Sequence, residues 1–169
     1  MRGSAFEELI NLTNRLYRQR ALALIQKVPT PITPVAVNNA THTITNAYFE
    51  QQSTVDYIGV AQGMALCFDA KETRYKNLPL KNIHAHQVSF MEDFMRQGGI
   101  SFLLVRFDWA DEIFLLPCET LSHHYRISQK GGRKSISYES FDRDYLITNR
   151  GGYPVHYLEA INAYLAKRK

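Results

Sequence analysis

The chain has 169 residues, 45% of them hydrophobic and 21% charged, with a formal net charge of +4 and a pI near 9.1. That composition excludes a disordered or fibrous chain and fits one domain, residues 1–169, with a full-sized core. No apolar run nears the ~20 residues that cross a bilayer.

The start, Met1-Arg2-Gly3-Ser4-Ala5-Phe6-Glu7-Glu8, turns acidic and amphipathic at once and is not a signal peptide. Residues 4–26 read as one helix, with Phe6, Leu9, Ile10, Leu16, Tyr17, Leu24 and Ile25 near a 3.6-residue period. Ser4-Ala5-Phe6-Glu7 fits a capping box at its start. Val28-Pro29-Thr30-Pro31-Ile32-Thr33-Pro34 stops the helix, because proline removes the amide donor that helix and interior strand both need. Val35 to Tyr48 is rich in Thr and Asn, with Val35, Val37 and Ile44 as its only aliphatic residues; it predicts a projecting arm or hairpin. Tyr48-Phe49-Glu50-Gln51-Gln52 returns to strand-like text.

Apolar residues on both sides of Gln62-Gly63 predict a hairpin spanning residues 53–73. With those two residues as the loop, Asp56 lies directly opposite Asp69. Facing carboxylates roughly 5 Å apart at Cβ destabilise a sheet unless a cation lies between them. Hard oxygen ligands suit Mg²⁺, or Mn²⁺ in its place. Lys71 projects from the same strand face, where its ammonium can neutralise charge developing on a phosphodiester. The competing reading is a solvated charged face without chemistry. A three-residue loop would turn the two acids to opposite faces.

Ile83 to Gln97 reads as a helix ending at Gly98-Gly99. Ile100–Phe107 and Glu112–Leu116 read as buried strands, Cys118 to Ile127 as a helix, and Tyr157 to Lys167 as the last helix. The order predicts an α/β fold, a mixed sheet with helices on its faces. Cys67 and Cys118 read as reduced core thiols of a cytoplasmic protein. His84 and His86, with no cysteine partner, make a poor zinc site, and Tyr57 reads as a packing residue. Arg15 and Arg18 on the first helix, Arg74 and Lys76 after the acid pair, and Arg133 and Lys134 in the turn from Lys130 are candidate DNA contacts, weighed against ordinary solvated faces.

Further text surrounds the acid pair: Pro29-Thr30-Pro31, Ala47-Tyr48-Phe49, Gln52-Ser53-Thr54-Val55-Asp56-Tyr57, Phe68-Asp69-Ala70-Lys71-Glu72-Thr73, His84, His86-Gln87, Gly131, Arg133-Lys134-Ser135-Ile136 and Gly152-Tyr153-Pro154. With the PD-(D/E)xK signature Asp56…Asp69-Ala70-Lys71, it resembles the RecU family of Holliday junction resolvases over almost the whole chain. The resemblance implies a restriction-endonuclease-like fold and an Mg²⁺-dependent endodeoxyribonuclease of homologous recombination and DNA repair. Thr54, Asp56, Asp69 and Gln87 would ligate the metal and Lys71 would stabilise the transition state, leaving 5′-phosphate and 3′-hydroxyl ends. In the wider superfamily an acid on the first helix often completes the site, which makes Glu7 a candidate beside its capping role. The resemblance further implies a homodimer nicking two opposed strands of a four-way junction, with residues 29–48 as a stalk entering the junction centre. Recombinase and branch-migration proteins are candidate partners.

Two departures stand out. Asp69 occupies a place where cellular members are expected to have Glu, which moves a ligand by over an ångström. The text before the first helix is short, as would suit a phage or prophage member. The alternatives are a PD-(D/E)xK nuclease acting on another DNA structure, or a non-catalytic DNA-binding modulator of recombination.

Overall fold

The computed structural model describes residues 4–49 and 54–169. Arg2 and the run from Glu50 to Ser53 therefore lie outside the described residues. Helix α1 (Ala5–Gln19) starts where the Ser4 hydroxyl accepts the Glu7 amide at 3.2 Å, one half of the expected capping box. It buries Phe6, Ile10 and Tyr17.

The expected helix over 4–26 is too long. Ala21 takes a left-handed conformation, φ 54°, and Leu24 and Ile25 belong to a strand, β1 (Leu24–Lys27). The helix is stopped at a residue without the usual glycine signal, at a cost of roughly 1–2 kcal/mol. Gln62 compensates from the neighbouring hairpin, its amide donating to the carbonyls of Ala21 at 3.2 Å and Leu22 at 3.1 Å.

Strands β2 (Ile32–Asn38) and β3 (Thr43–Phe49) form a separate two-stranded sheet whose side chains are almost all exposed. This is the projecting hairpin expected of a segment poor in apolar residues. Strands β4 (Tyr57–Ala61) and β5 (Met64–Thr73) then pair antiparallel from Ala61 against Met64 to Tyr57 against Phe68. Gln62 at φ 49° and Gly63 at φ 81° both have the positive φ of a tight two-residue hairpin loop. The expected register is the observed one.

The chain continues through β6 (Asn77–Pro79), α2 (Ala85–Arg96), β7 (Ile100–Phe107), β8 (Glu112–Pro117), α3 (Cys118–Gln129), β9 (Ser135–Ser137), β10 (Leu146–Ile147) and α4 (Tyr157–Lys167). The main sheet runs β1-β4-β5-β7-β8-β10. Its pairs are antiparallel except β5–β7, where α2 lies in the crossover. Alternation along each strand sorts side chains between two cores. Tyr57, Phe68, Phe102 and Leu104 face α1 and α4, whereas Cys67, Leu103, Val105 and Phe114 face α2 and α3. By the same alternation Asp69 and Lys71 fall on the α2/α3 side. The architecture is the expected mixed sheet with helices on both faces.

Short β6 and β9 pair with each other, Asn77 against Ser137 and Pro79 against Ser135. Three-residue strands leave no periodic signal in the sequence. The pairing joins two basic segments that are far apart in sequence.

Gly59 fixes how closely β1 can approach β4. A Cβ there would lie 2.0 Å from the Leu24 carbonyl oxygen and 2.7 Å from the Ile25 Cα. Gly59→Ala is expected to push the strands apart and destabilise the protein by roughly 2–3 kcal/mol, seen as a lower urea midpoint. An unchanged midpoint would show that the strand contact is looser than described.

Candidate metal centre on the β4–β5 hairpin

Asp56 stands just before β4, tied to the end of β1 by the Val28 amide donating to its carbonyl at 2.8 Å. One step beyond the Tyr57–Phe68 pair, it faces Asp69. The two acids brace each other's strand. The Asp56 amide donates to Asp69 Oδ1 at 2.6 Å, and the Ala70 amide donates to Asp56 Oδ2 at 3.1 Å.

Asp69 is fully buried and Asp56 partly so. Gln87, on the first turn of α2, donates its Nε2 to Asp69 Oδ2 at 2.7 Å while its Oε1 accepts the His84 amide at 3.2 Å. Lys71 Nζ lies 3.7 Å from Asp69 Oδ2. Burial, and next the negative charge of Asp56, push the Asp69 carboxyl up to about 6; Lys71 and the Asp56 amide act in the opposite direction.

The donor set fits a divalent cation. Asp56 Oδ1 accepts no hydrogen bond among the described residues, and the buried Asp69 faces a like charge that a hard cation would offset. Gln87 fits less directly, because its amide nitrogen faces Asp69. Ligation through Oε1 requires turning the amide and giving up the bond that caps α2 at His84. Among the described residues no group of three or more His, Cys, Asp or Glu side chains gathers as a metal cluster, so the centre has two carboxylates rather than a cage.

The remaining candidates are dispersed. Thr54 is exposed in a bend before β4 rather than on the strand. Glu7 pairs with Lys27 Nζ at 2.7 Å. Lys27 is opposite Tyr57, so this pair belongs to the α1 side of the sheet, across from the acid face. Arg15 and Arg18 are exposed on α1. Arg74 and Lys76 are exposed just past β5, and Arg133 and Lys134 just before β9. The Leu80 amide donates to the Lys134 carbonyl at 2.9 Å, extending the β6–β9 link between those two basic segments.

Nothing in the sequence marks Lys27, because Leu24 and Ile25 continue the apolar period of α1 and hide the start of β1. Tyr57 packs as expected, its hydroxyl donating to Asn11 at 3.0 Å. Cys67 and Cys118 are buried free thiols. His84 and His86 stack at 5.6 Å beside the centre.

An acid pair and a lysine on a hairpin, followed by a helical crossover into a parallel strand, is the layout of the PD-(D/E)xK class. A sequence model of the family "RecU: Recombination protein U" matches residues 1–163. Holliday junction resolvase RecU of Limosilactobacillus reuteri is 42% identical over 160 residues, 92% of this chain and 75% of that one. The Geobacillus kaustophilus protein of the same name is 43% identical over 146 residues, 84% and 73% of the two chains. The Streptococcus mutans protein is 42% identical over 166 residues, 95% and 83%. Among solved structures, Archaeoglobus fulgidus Hjc, a Holliday junction resolvase from an archaeal hyperthermophile, is similar at 16% identity and a TM-score of 0.42, covering 69% of this chain and 78% of that one. The chain belongs to the RecU family. Among the described residues no helix is long and apolar enough to cross a membrane.

The raised Asp69 carboxyl makes a pH prediction. The folded state holds that proton more tightly than the unfolded chain, so ionisation opposes folding. The penalty is absent below about pH 4 and complete above about pH 6, where it is on the order of 2–3 kcal/mol without metal. Asp69→Asn should therefore raise the metal-free Tm at pH 7.5, with the advantage vanishing near pH 4. Added Mg²⁺ should raise the Tm of the parent protein and not of the variant. An equal rise in both would place the ion elsewhere.

Proposed function

We propose that this protein is a divalent-metal-dependent endodeoxyribonuclease that resolves Holliday junctions in homologous recombination and repair. The observation that carries the reading is the buried Asp69 facing Asp56, with Lys71 on the same strand face, in a member of the RecU family. The relatives' name, Holliday junction resolvase, supplies the substrate class.

Asp56 and Asp69 would hold the ion, Mg²⁺ with Mn²⁺ as a substitute, with Gln87 a further oxygen donor once its amide turns and Thr54 one supplied from the bend before β4. When bound, the ion would polarise the scissile phosphate and acidify a water molecule beside it. Both carboxylates are already pinned by backbone amides, so little reorganisation is needed to present them. Lys71 places its ammonium beside the reacting phosphate, where it offsets charge gathering on the phosphorus oxygens. Glu7 acts at one remove, by holding Lys27 at the end of β1, the strand that anchors Asp56.

A four-way junction has approximate two-fold symmetry and needs two opposed nicks, so a two-fold homodimer with one centre per subunit is the economical assembly. Residues 1–169 act as one nuclease unit, and the β2–β3 hairpin enters the junction centre. The exposed cations Arg15, Arg18, Arg74, Lys76, Arg133 and Lys134 follow phosphates, making affinity steeply salt-dependent. The setting is the cytoplasm, with recombinase and branch-migration proteins as partners.

A synthetic four-way junction with Mg²⁺ tests the reading. The parent protein should make paired symmetric nicks, and Asp56→Asn should lower the rate by ~100-fold or more without losing the junction. Lys71→Ala should do the same, with junction affinity nearly unchanged. Equal cutting of linear duplex would sink junction selectivity. Tight binding without cutting would make the protein a modulator of recombination rather than a nuclease.

A further inference from the structure

Thr73 and Phe107 are partners in the parallel β5–β7 pair, so the chain leaves the sheet twice at the same end. After β5 it emerges as Arg74-Tyr75-Lys76, and after β7 as Asp108-Trp109. Trp109 is 45% exposed and Tyr75 52%. Lys76 Nζ lies 5.2 Å from the Trp109 ring centroid, and the Arg74 guanidinium lies 5.3 Å from that of Tyr75. The indole is held rather than loose. It packs edge-on against Tyr138 at 4.9 Å, and the Tyr138 amide donates to the Lys76 carbonyl at 3.1 Å. Tyr138 in turn meets Phe107 and Phe114, which belong to the α2/α3 core. The cluster therefore lies on the same side of the sheet as Asp69 and Lys71.

Charge at this end is unevenly matched. Glu72, Asp108 and Asp111 are engaged by Arg106, and Glu112 by Arg143. Among the described residues no carboxylate comes within ion-pair distance of Arg74, Lys76 or Lys81. The surface thus combines a half-exposed indole, a second exposed ring and unneutralised cations, which is the chemistry of a sugar–phosphate contact. Asp69 is four residues from Thr73, and Phe107 two from Trp109. At about 3.3 Å per strand residue and about 2 Å for each residue of the 3₁₀ turn that carries Trp109, the span is roughly 17 Å. That is the length of about five base pairs at ~3.4 Å each.

We infer that Trp109, with Lys76 and Arg74, is a DNA contact: the indole lies against a deoxyribose of a duplex arm and the two cations flank its phosphates. The contact holds the arm about half a helical turn from the phosphate that is cut. It rests on the proposed action on branched DNA, and it names a residue that no part of that reading uses.

Trp109 is the only tryptophan in the chain, so its emission reports this surface alone. The test titrates the parent protein with a dye-labelled four-way junction and, separately, with linear duplex, in Ca²⁺ to prevent cutting. Dye anisotropy reads binding, and acrylamide quenching reads access to the indole. Bound DNA should shield Trp109, lowering the quenching constant about two-fold, since close to half of the side chain is open. Trp109→Ala should weaken junction binding several-fold, with Trp109→Phe keeping most of the parent's affinity, and Lys76→Ala should weaken it while lowering the salt slope by about one. Far-UV circular dichroism checks that each variant is folded. Binding at full affinity with Trp109 still open to acrylamide overturns the inference and leaves the proposed function standing. Shielding by duplex and junction alike, with equal affinities, keeps the contact and removes junction selectivity.

Discussion

Two like charges facing each other across a β-ladder set the terms for the rest of this molecule. In an ordinary sheet the pair would be lost to substitution or turned to solvent. Here Asp69 is fully buried, its Oδ1 fixed by the Asp56 amide, and its Oδ2 approached by Gln87 and Lys71. Each neighbour offsets part of the desolvation cost, and together they leave the carboxyl raised rather than restored to its ordinary range. The fold retains a local electrostatic deficit that a bound cation would relieve. Such a deficit is expected where structure has been kept for chemistry rather than for stability.

The register that produces this confrontation was legible in the sequence because it depends on local terms. Gln62-Gly63 supplies a two-residue loop with positive φ at both positions, and alternation along β4 and β5 does the rest. The dense apolar runs of β7 and β8 and the amphipathic α4 were legible for a similar reason. What escaped depends on contacts between distant segments. Leu24 and Ile25 continue the helical period of α1, and only the Gln62 amide reaching back to Ala21 and Leu22 shows why the chain turns there. Strands β6 and β9 are three residues each, and Pro79 argues against a strand in isolation. The candidate site was legible as a list of donors, but the orientation of Gln87 was not. It depends on the amide of His84, the N-cap of α2, to which Gln87 at N3 reaches back as in a capping box, a signal masked because His stands where Ser or Thr is usual.

The two cores also give the sheet distinct faces. On one side α1 and α4 carry the aromatic packing of Tyr57, Phe68, Phe102 and Tyr157, with rings stacked at 4.8 and 4.9 Å along Tyr57, Phe68 and Phe102. On the other, α2 delivers Gln87 to Asp69, and the β6–β9 pair gathers basic segments that the sequence keeps apart. Aromatic packing and the acid pair thus sit back to back on the same strands. On the aromatic face Gly59 lets the β1 backbone approach β4 closely, where a Cβ would meet the Leu24 carbonyl.

The β2–β3 hairpin follows a different economy. A two-stranded ribbon with both faces wet has little apolar burial to hold it, and such ribbons are marginal in water when alone. Its sequence is therefore free of the packing constraints that bind β5 or β7. Evolution can lengthen, shorten or recolour this arm without renegotiating the core, so one part of the chain can change its outline while the main sheet keeps its packing.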